Sequence, residues 1–126
     1  MRALVVDDSR VMRLIIGKIV KENGFEVIEA GNGQEALERL RATDSEITLA
    51  LVDWNMPVMD GLSFVQAARA DGAFSALRMI MVTTENGTEQ VARAIEAGAD
   101  EYLMKPFTKE SLRDKLALIG FEAATP

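Results

Sequence analysis

The sequence predicts a single α/β domain with a mostly parallel sheet and helices on both of its faces. Two observations carry this. Five short apolar runs, each bounded by turn residues, alternate along the chain with five segments whose apolar residues recur at helical spacing. Glycines stand just beyond the last periodic residue of several of those segments, where helices end. Strict alternation requires crossover connections, and right-handed crossovers lay each helix back on the sheet.

The elements follow in order. Ala3 to Val6 is a continuous apolar run, as expected for a strand covered on both faces. Met12, Ile15, Ile16, Ile19 and Val20 then fit the i, i+3, i+4, i+7, i+8 pattern, which predicts an amphipathic helix with one buried stripe. Val27-Ile28 is the second strand, and its setting in Glu26-Val27-Ile28-Glu29 alternates, which suits an edge. Ala36, Leu37 and Leu40 mark the second helix, Leu49 to Val52 the third strand, and Leu62 with Val65 the third helix. Met79 to Val82 is the fourth strand, followed by a helix on Val91, Ala92 and Ile95. Tyr102 to Met104 and then Leu112, Leu116 and Ile119 complete the series. Gly24, Gly72, Gly98 and Gly120 are expected to take the left-handed cap conformation. Asp60 and Thr108 are expected N-caps. Residues 1–120 are assigned to the domain, and 121–126 to a short tail expected to fray.

Composition removes several classes of function. With 126 residues there is room for one domain, and 48% hydrophobic residues suffice for a core. The absence of cysteine excludes disulfides, thiolate metal sites and thiol nucleophiles, and the absence of histidine excludes His-based catalysis and His-ligated metals. A net charge of −6 argues against tracking nucleic-acid phosphates. No apolar run reaches the length of a signal-peptide core or a membrane span, so a cytoplasmic protein is expected.

In a parallel sheet the loops after the strand C-termini gather at one end. Here four of five ends are polar: Asp7 and Asp8, Asp53, Thr83 and Thr84, and Lys105. Each has an ordinary reading alone, as a helix cap, a turn or a strand end. Together they place three carboxylates where the first and third strands end, if those strands are neighbours, and converging like charges need neutralising. A divalent cation with oxygen ligands answers this, and Mg²⁺ suits a site with few of them. The loop Asp53-Trp54-Asn55-Met56-Pro57 can add a backbone carbonyl, and Trp54 is expected at the edge of the cluster. The chemistry this set supports is phosphoryl transfer to the Asp53 carboxylate, with Lys105 and the metal offsetting phosphoryl charge and Thr83 donating a hydrogen bond.

Four blocks, Val5-Val6-Asp7-Asp8-Ser9, Val52 to Gly61, Met81-Val82-Thr83-Thr84-Glu85 and Tyr102 to Phe107, resemble the signatures of bacterial response-regulator receiver domains, most of all the chemotaxis type. The resemblance implies a flavodoxin-like (βα)5 fold, a doubly wound parallel sheet of five strands in order 2-1-3-4-5. It implies that Asp53 accepts phosphate from a phosphohistidine of a sensor histidine kinase. It implies Mg²⁺ on Asp7, Asp8, Asp53 and the main-chain carbonyl of Asn55, and contacts of Thr83 and Lys105 with the phosphoryl group. Tyr102 matches the aromatic switch position, and Lys105-Pro106 a bond that is typically cis. Asn55 and Glu85 match positions that tune phosphoryl lifetime, and Thr84 departs from the alanine common there.

The expected function is a stand-alone switch that binds a protein target through its fourth helix, fifth strand and fifth helix, with the flagellar motor switch as a candidate. It is expected to be a monomer, without nucleic-acid or membrane partners, and not an enzyme beyond its own phosphotransfer and autodephosphorylation. Alternatives are a receiver serving a non-motor partner, a phosphate sink, and a receiver that acts unphosphorylated. An Asp-nucleophile phosphohydrolase would need an aspartate where Asn55 stands. A flavodoxin would need a hydroxyl-rich phosphate loop where Asp7-Asp8 would repel phosphate.

Overall fold

The computed structural model describes residues 1–42 and 47–121. Five strands, β1 (Arg2–Val6), β2 (Glu26–Ala30), β3 (Ile47–Val52), β4 (Arg78–Thr83) and β5 (Glu101–Met104), form one parallel sheet in the order β2-β1-β3-β4-β5. Five α-helices follow them in turn: α1 (Arg10–Glu22), α2 (Gly33–Ala42), α3 (Gly61–Ala70), α4 (Thr88–Ala97) and α5 (Lys109–Leu118). This is the doubly wound, flavodoxin-like architecture expected.

Alternate residues of each strand feed two separate cores. Leu4, Val6, Ala50, Val52, Met79 and Met81 meet Leu37, Phe64, Val65 and Ala94 from α2, α3 and α4. Ala3, Val5, Leu49, Leu51, Ile80 and Val82 meet Ile16, Val20, Leu112 and Leu116 from α1 and α5. Both faces of the central strands are therefore buried, which is why those strands read as unbroken apolar runs. β2 lies at an edge, as its alternation indicated, with Glu26 and Glu29 exposed.

Several expectations are corrected. Gly72 does not end α3 in a left-handed conformation. Asp71 is the C-cap, in extended conformation, and Gly72 opens a short 3-10 turn, Gly72–Phe74, that the Asp71 side chain caps through the Ala73 N–H. Gly24, Gly98 and Gly120 do take positive φ, joined by Gly87 at the start of α4. Ile15 is 45% exposed, because the buried stripe of α1 is narrower than the sequence pattern and runs through Ile16, Ile19 and Val20. In α4, Ala92 and Ile95 face solvent and only Ala94 is buried. Phe121, assigned to the tail, packs edge-to-face on Phe25 with ring centroids 5.3 Å apart. Residues 122–126 of that tail lie outside the described residues. Among the described residues no helix is long and apolar enough to cross a membrane.

Candidate functional site

Strand register brings the predicted residues together. Val6 pairs with Val52, and the Asp53 N–H continues the ladder by donating to the Val6 carbonyl at 2.9 Å, so the next residues, Asp7 and Asp53, stand side by side. The Lys105 N–H likewise donates to the Thr83 carbonyl at 2.9 Å, which continues the β4–β5 pairing to the same end of the sheet. Carboxylate oxygens of Asp7, Asp8 and Asp53 lie within 4.8 Å of one another. Asp7 is buried, Asp53 half-buried and Asp8 exposed.

Each carboxylate is held differently. Asp7 Oδ1 accepts from the Ser9 N–H at 2.9 Å, and Asp7 Oδ2 accepts from Lys105 Nζ at 2.7 Å. Asp53 Oδ1 accepts from the Trp54 N–H at 2.7 Å, and its Oδ2 from Lys105 Nζ at 3.2 Å. The α1 N-cap is Ser9, whose hydroxyl accepts from the Met12 N–H, so the acidic pair is not spent on capping. The Lys105-Pro106 bond is cis.

The electrostatics follow from this crowding. Burial and the Asp7 charge push the Asp53 carboxyl above the ordinary aspartate value, against the pull of Lys105 and the Thr83 hydroxyl. Burial works against the Lys105 ammonium, but its hydrogen bond to Asp7 and the charges of Asp53 and Asp7 outweigh this and leave its pKa raised. Among the described residues Lys105 pairs with the carboxylates of Asp7 and Asp53 and no ion pair reaches Asp8, so negative charge is in excess in the cluster. The donor set is oxygen only and fits a hard divalent ion.

Around this center Thr83 is fully buried, and its hydroxyl accepts from the Glu85 N–H at 3.2 Å. The Glu85 carbonyl accepts from the Tyr102 hydroxyl at 2.6 Å, and burial with the nearby Glu85 and Asp53 charges raises the phenol pKa. Thr83, Glu85 and Tyr102 therefore form one chain of contacts leading away from the site. Asn55 Nδ2 donates to Glu85 Oε1 at 2.9 Å, joining the two positions predicted as a pair, while Thr84 is exposed.

Sequence reading missed three contributors. Arg13 braces the first loop by donating to the Asp7 carbonyl at 2.7 Å and to Glu29 at 2.9 Å. Its position six residues past Asp7 carried no local signal. Gly61 lets α3 begin against the third-strand loop, since a Cβ there would overlap the Asp53 carbonyl. Its N–H donates to the Trp54 carbonyl at 2.8 Å, and a glycine at the head of a helix hinted at such an approach. Arg93 from α4 lies over the Trp54 ring; Trp54 adjoins the cluster through its N–H on Asp53, as expected, and is 7% exposed.

The family description "Response regulator receiver domain" matches residues 3–117. Chemotaxis protein CheY1 of Helicobacter pylori (strain J99) is 44% identical over 120 residues, covering 94% of this chain and 96% of that protein. The CheY homolog of Campylobacter jejuni (strain 81-176) is 42% identical over 117 residues, 92% of this chain and 89% of its own length. Among solved structures, the chemotaxis protein CheY4 of Vibrio cholerae superposes with a TM-score of 0.85 at 33% identity, covering 94% of this chain and 97% of that one.

Proposed function

This chain belongs to the response regulator receiver family, of the CheY type, and from that premise we propose that it is a phosphorylation-dependent switch in which Asp53 is the phosphoacceptor. The observation that carries the reading is the Asp53 carboxylate, held by the Trp54 N–H and Lys105 at the meeting point of three carboxylates. As donor we assign a phosphohistidine of a sensor histidine kinase. An Asp53 oxygen attacks phosphorus, the new P–O bond forms as the P–N bond to the imidazole breaks, and the released imidazole takes a proton from solvent. No base is required, because the reacting form of the nucleophile is the carboxylate, which the Lys105 charge favours.

Asp7, Asp8 and Asp53, with the main-chain carbonyl of Asn55, would hold Mg²⁺, which supplies positive charge opposite the phosphoryl oxygens when bound. Lys105 offsets charge on the same oxygens. Thr83 turns its hydroxyl toward the new phosphoryl group, and Tyr102, tied to the Glu85 carbonyl, follows that motion as the switch. Asn55 and Glu85, already in contact, set the phosphoryl lifetime together with Thr84. The partner face is that of α4, β5 and α5, where Ile95, Met104 and Leu118 are exposed, and we assign it a protein target, with the flagellar motor switch as candidate. The protein works as a cytoplasmic monomer without nucleic-acid or membrane partners.

The test is transfer from a radiolabelled sensor kinase. Label should pass to the wild-type chain in Mg²⁺ and neither to Asp53→Asn nor to the wild type in EDTA. Equal transfer to Asp53→Asn would overturn the assignment.

A further inference from the structure

The Arg93 guanidinium of α4 stands over the Trp54 indole, 5.6 Å from the ring centroid. Cations at such distances are attracted by the negative face of the ring. Glu89 and Glu96 stand four residues before and three after it on the same helix, yet among the described residues Arg93 makes no ion pair. The indole is its partner.

The two sides of this contact are anchored differently. Of the ten residues of α4 only Ala94 is buried, and the N-cap Gly87 provides no side-chain hydrogen bond. Trp54 meets the site and the core together: its ring lies among the buried residues, its N–H donates to Asp53 Oδ1, and its carbonyl accepts from Gly61. Arg93 thus joins α4, which packs on the core through Ala94 with Val91 and Ala97, to the residue whose N–H holds the Asp53 carboxylate.

We propose that Arg93 is a positioning residue for Asp53: by holding the Trp54 indole it keeps the Trp54 N–H on the carboxylate, and it ties the seat of α4 to the geometry of the acidic site. This rests on Asp53 being the functional carboxylate. A purely electrostatic role makes the opposite prediction. Removing a cation near a cation site should tighten Mg²⁺ binding, whereas loosening the Asp53 loop should weaken it.

The test uses the full chain with Arg93→Ala and Arg93→Lys. Alanine is the best helix former, so α4 is retained, and urea midpoints measured in parallel report any general loss of stability. Trp54 is the sole tryptophan, so its emission without metal reads the contact directly. Calorimetry reads Mg²⁺ affinity. Arg93→Ala should change the emission and weaken Mg²⁺ by about two- to fivefold, the range such a contact supports, with Arg93→Lys between it and the wild type. Unchanged or tighter Mg²⁺ binding in Arg93→Ala overturns the proposal. If the wild type itself binds no Mg²⁺, the phosphoacceptor reading fails on its own account and the metal-free emission decides. Emission indistinguishable among the three proteins would then overturn the clamp, and a change in Arg93→Ala that Arg93→Lys partly restores would sustain it.

Discussion

Asp53→Asn should make the metal-free protein more stable. In the folded state the ionised Asp53 is attracted by Lys105 Nζ at 3.2 Å and repelled by oxygens of Asp7 and Asp8 within 4.8 Å. At an effective dielectric of about 20 the attraction amounts to about 5 kcal/mol and each repulsion to about 3.5 kcal/mol. The pull of Lys105 exceeds the repulsion from Asp7, and solvent screens the exposed Asp8, so the burial of Asp53 is the largest cost of its charge and the Asp7 repulsion adds to it. A gain of about 1–2 kcal/mol is expected, or roughly 0.5–1 M in urea midpoint at a typical m-value. The pH dependence has a definite sign. The Asp53 pKa is raised on folding, so between its unfolded and folded values the native state binds more protons, and wild-type stability falls as pH rises through that window. Asp53→Asn should lack this fall. Urea melts in EDTA and in saturating Mg²⁺ test the argument, because a bound cation should offset the repulsion and shrink the gain. A variant less stable than wild type in EDTA, or a gain unchanged by Mg²⁺, would refute it.

Three further outcomes are expected. Gly61→Ala forces a Cβ into the Asp53 carbonyl, so it should lower stability by about 2–3 kcal/mol and weaken Mg²⁺ binding together; an unaltered urea midpoint would contradict this. Lys105→Arg keeps the charge but changes length and geometry, so it should accept phosphate yet fail to raise affinity for the target; normal activation would remove Lys105 from signalling. Mg²⁺ should give a saturable change in Trp54 emission that Asp8→Ala weakens and monovalent salt at equal ionic strength does not reproduce; a flat titration would argue against ordering of the Asp53 to Met56 loop by metal.

Much of this site was legible because both of its causes are local. A strand buried on both faces must be an unbroken apolar run, and the residue that ends the run must sit where the helices leave the sheet, so Asp7, Asp53 and Lys105 could be placed at one end before any contact was known. What escaped depends on which side chains meet across many residues. Arg13 on Glu29 and Arg93 on Trp54 are fixed by strand order and helix seating, to which no single segment testifies. The strand order itself came from the family resemblance and not from spacing. Periodicity also overstated burial. Ile15 and Ile95 fit the helical pattern but face solvent, because the pattern marks a stripe wider than the face each helix presents to the sheet. Gly72 misled for a different reason: the chain after α3 tightens into a 3-10 turn, so no left-handed residue is needed there.

The central claim is that Asp53 carries the phosphoryl group, and the most direct measurement is mass spectrometry after incubation with acetyl phosphate and Mg²⁺. The wild-type chain should gain a single phosphoryl group, and borohydride trapping of the acyl phosphate should place it in the peptide containing Asp53. Asp53→Asn should gain none. A stoichiometric adduct on Asp53→Asn, or an adduct on the wild type that maps away from Asp53, would contradict the account.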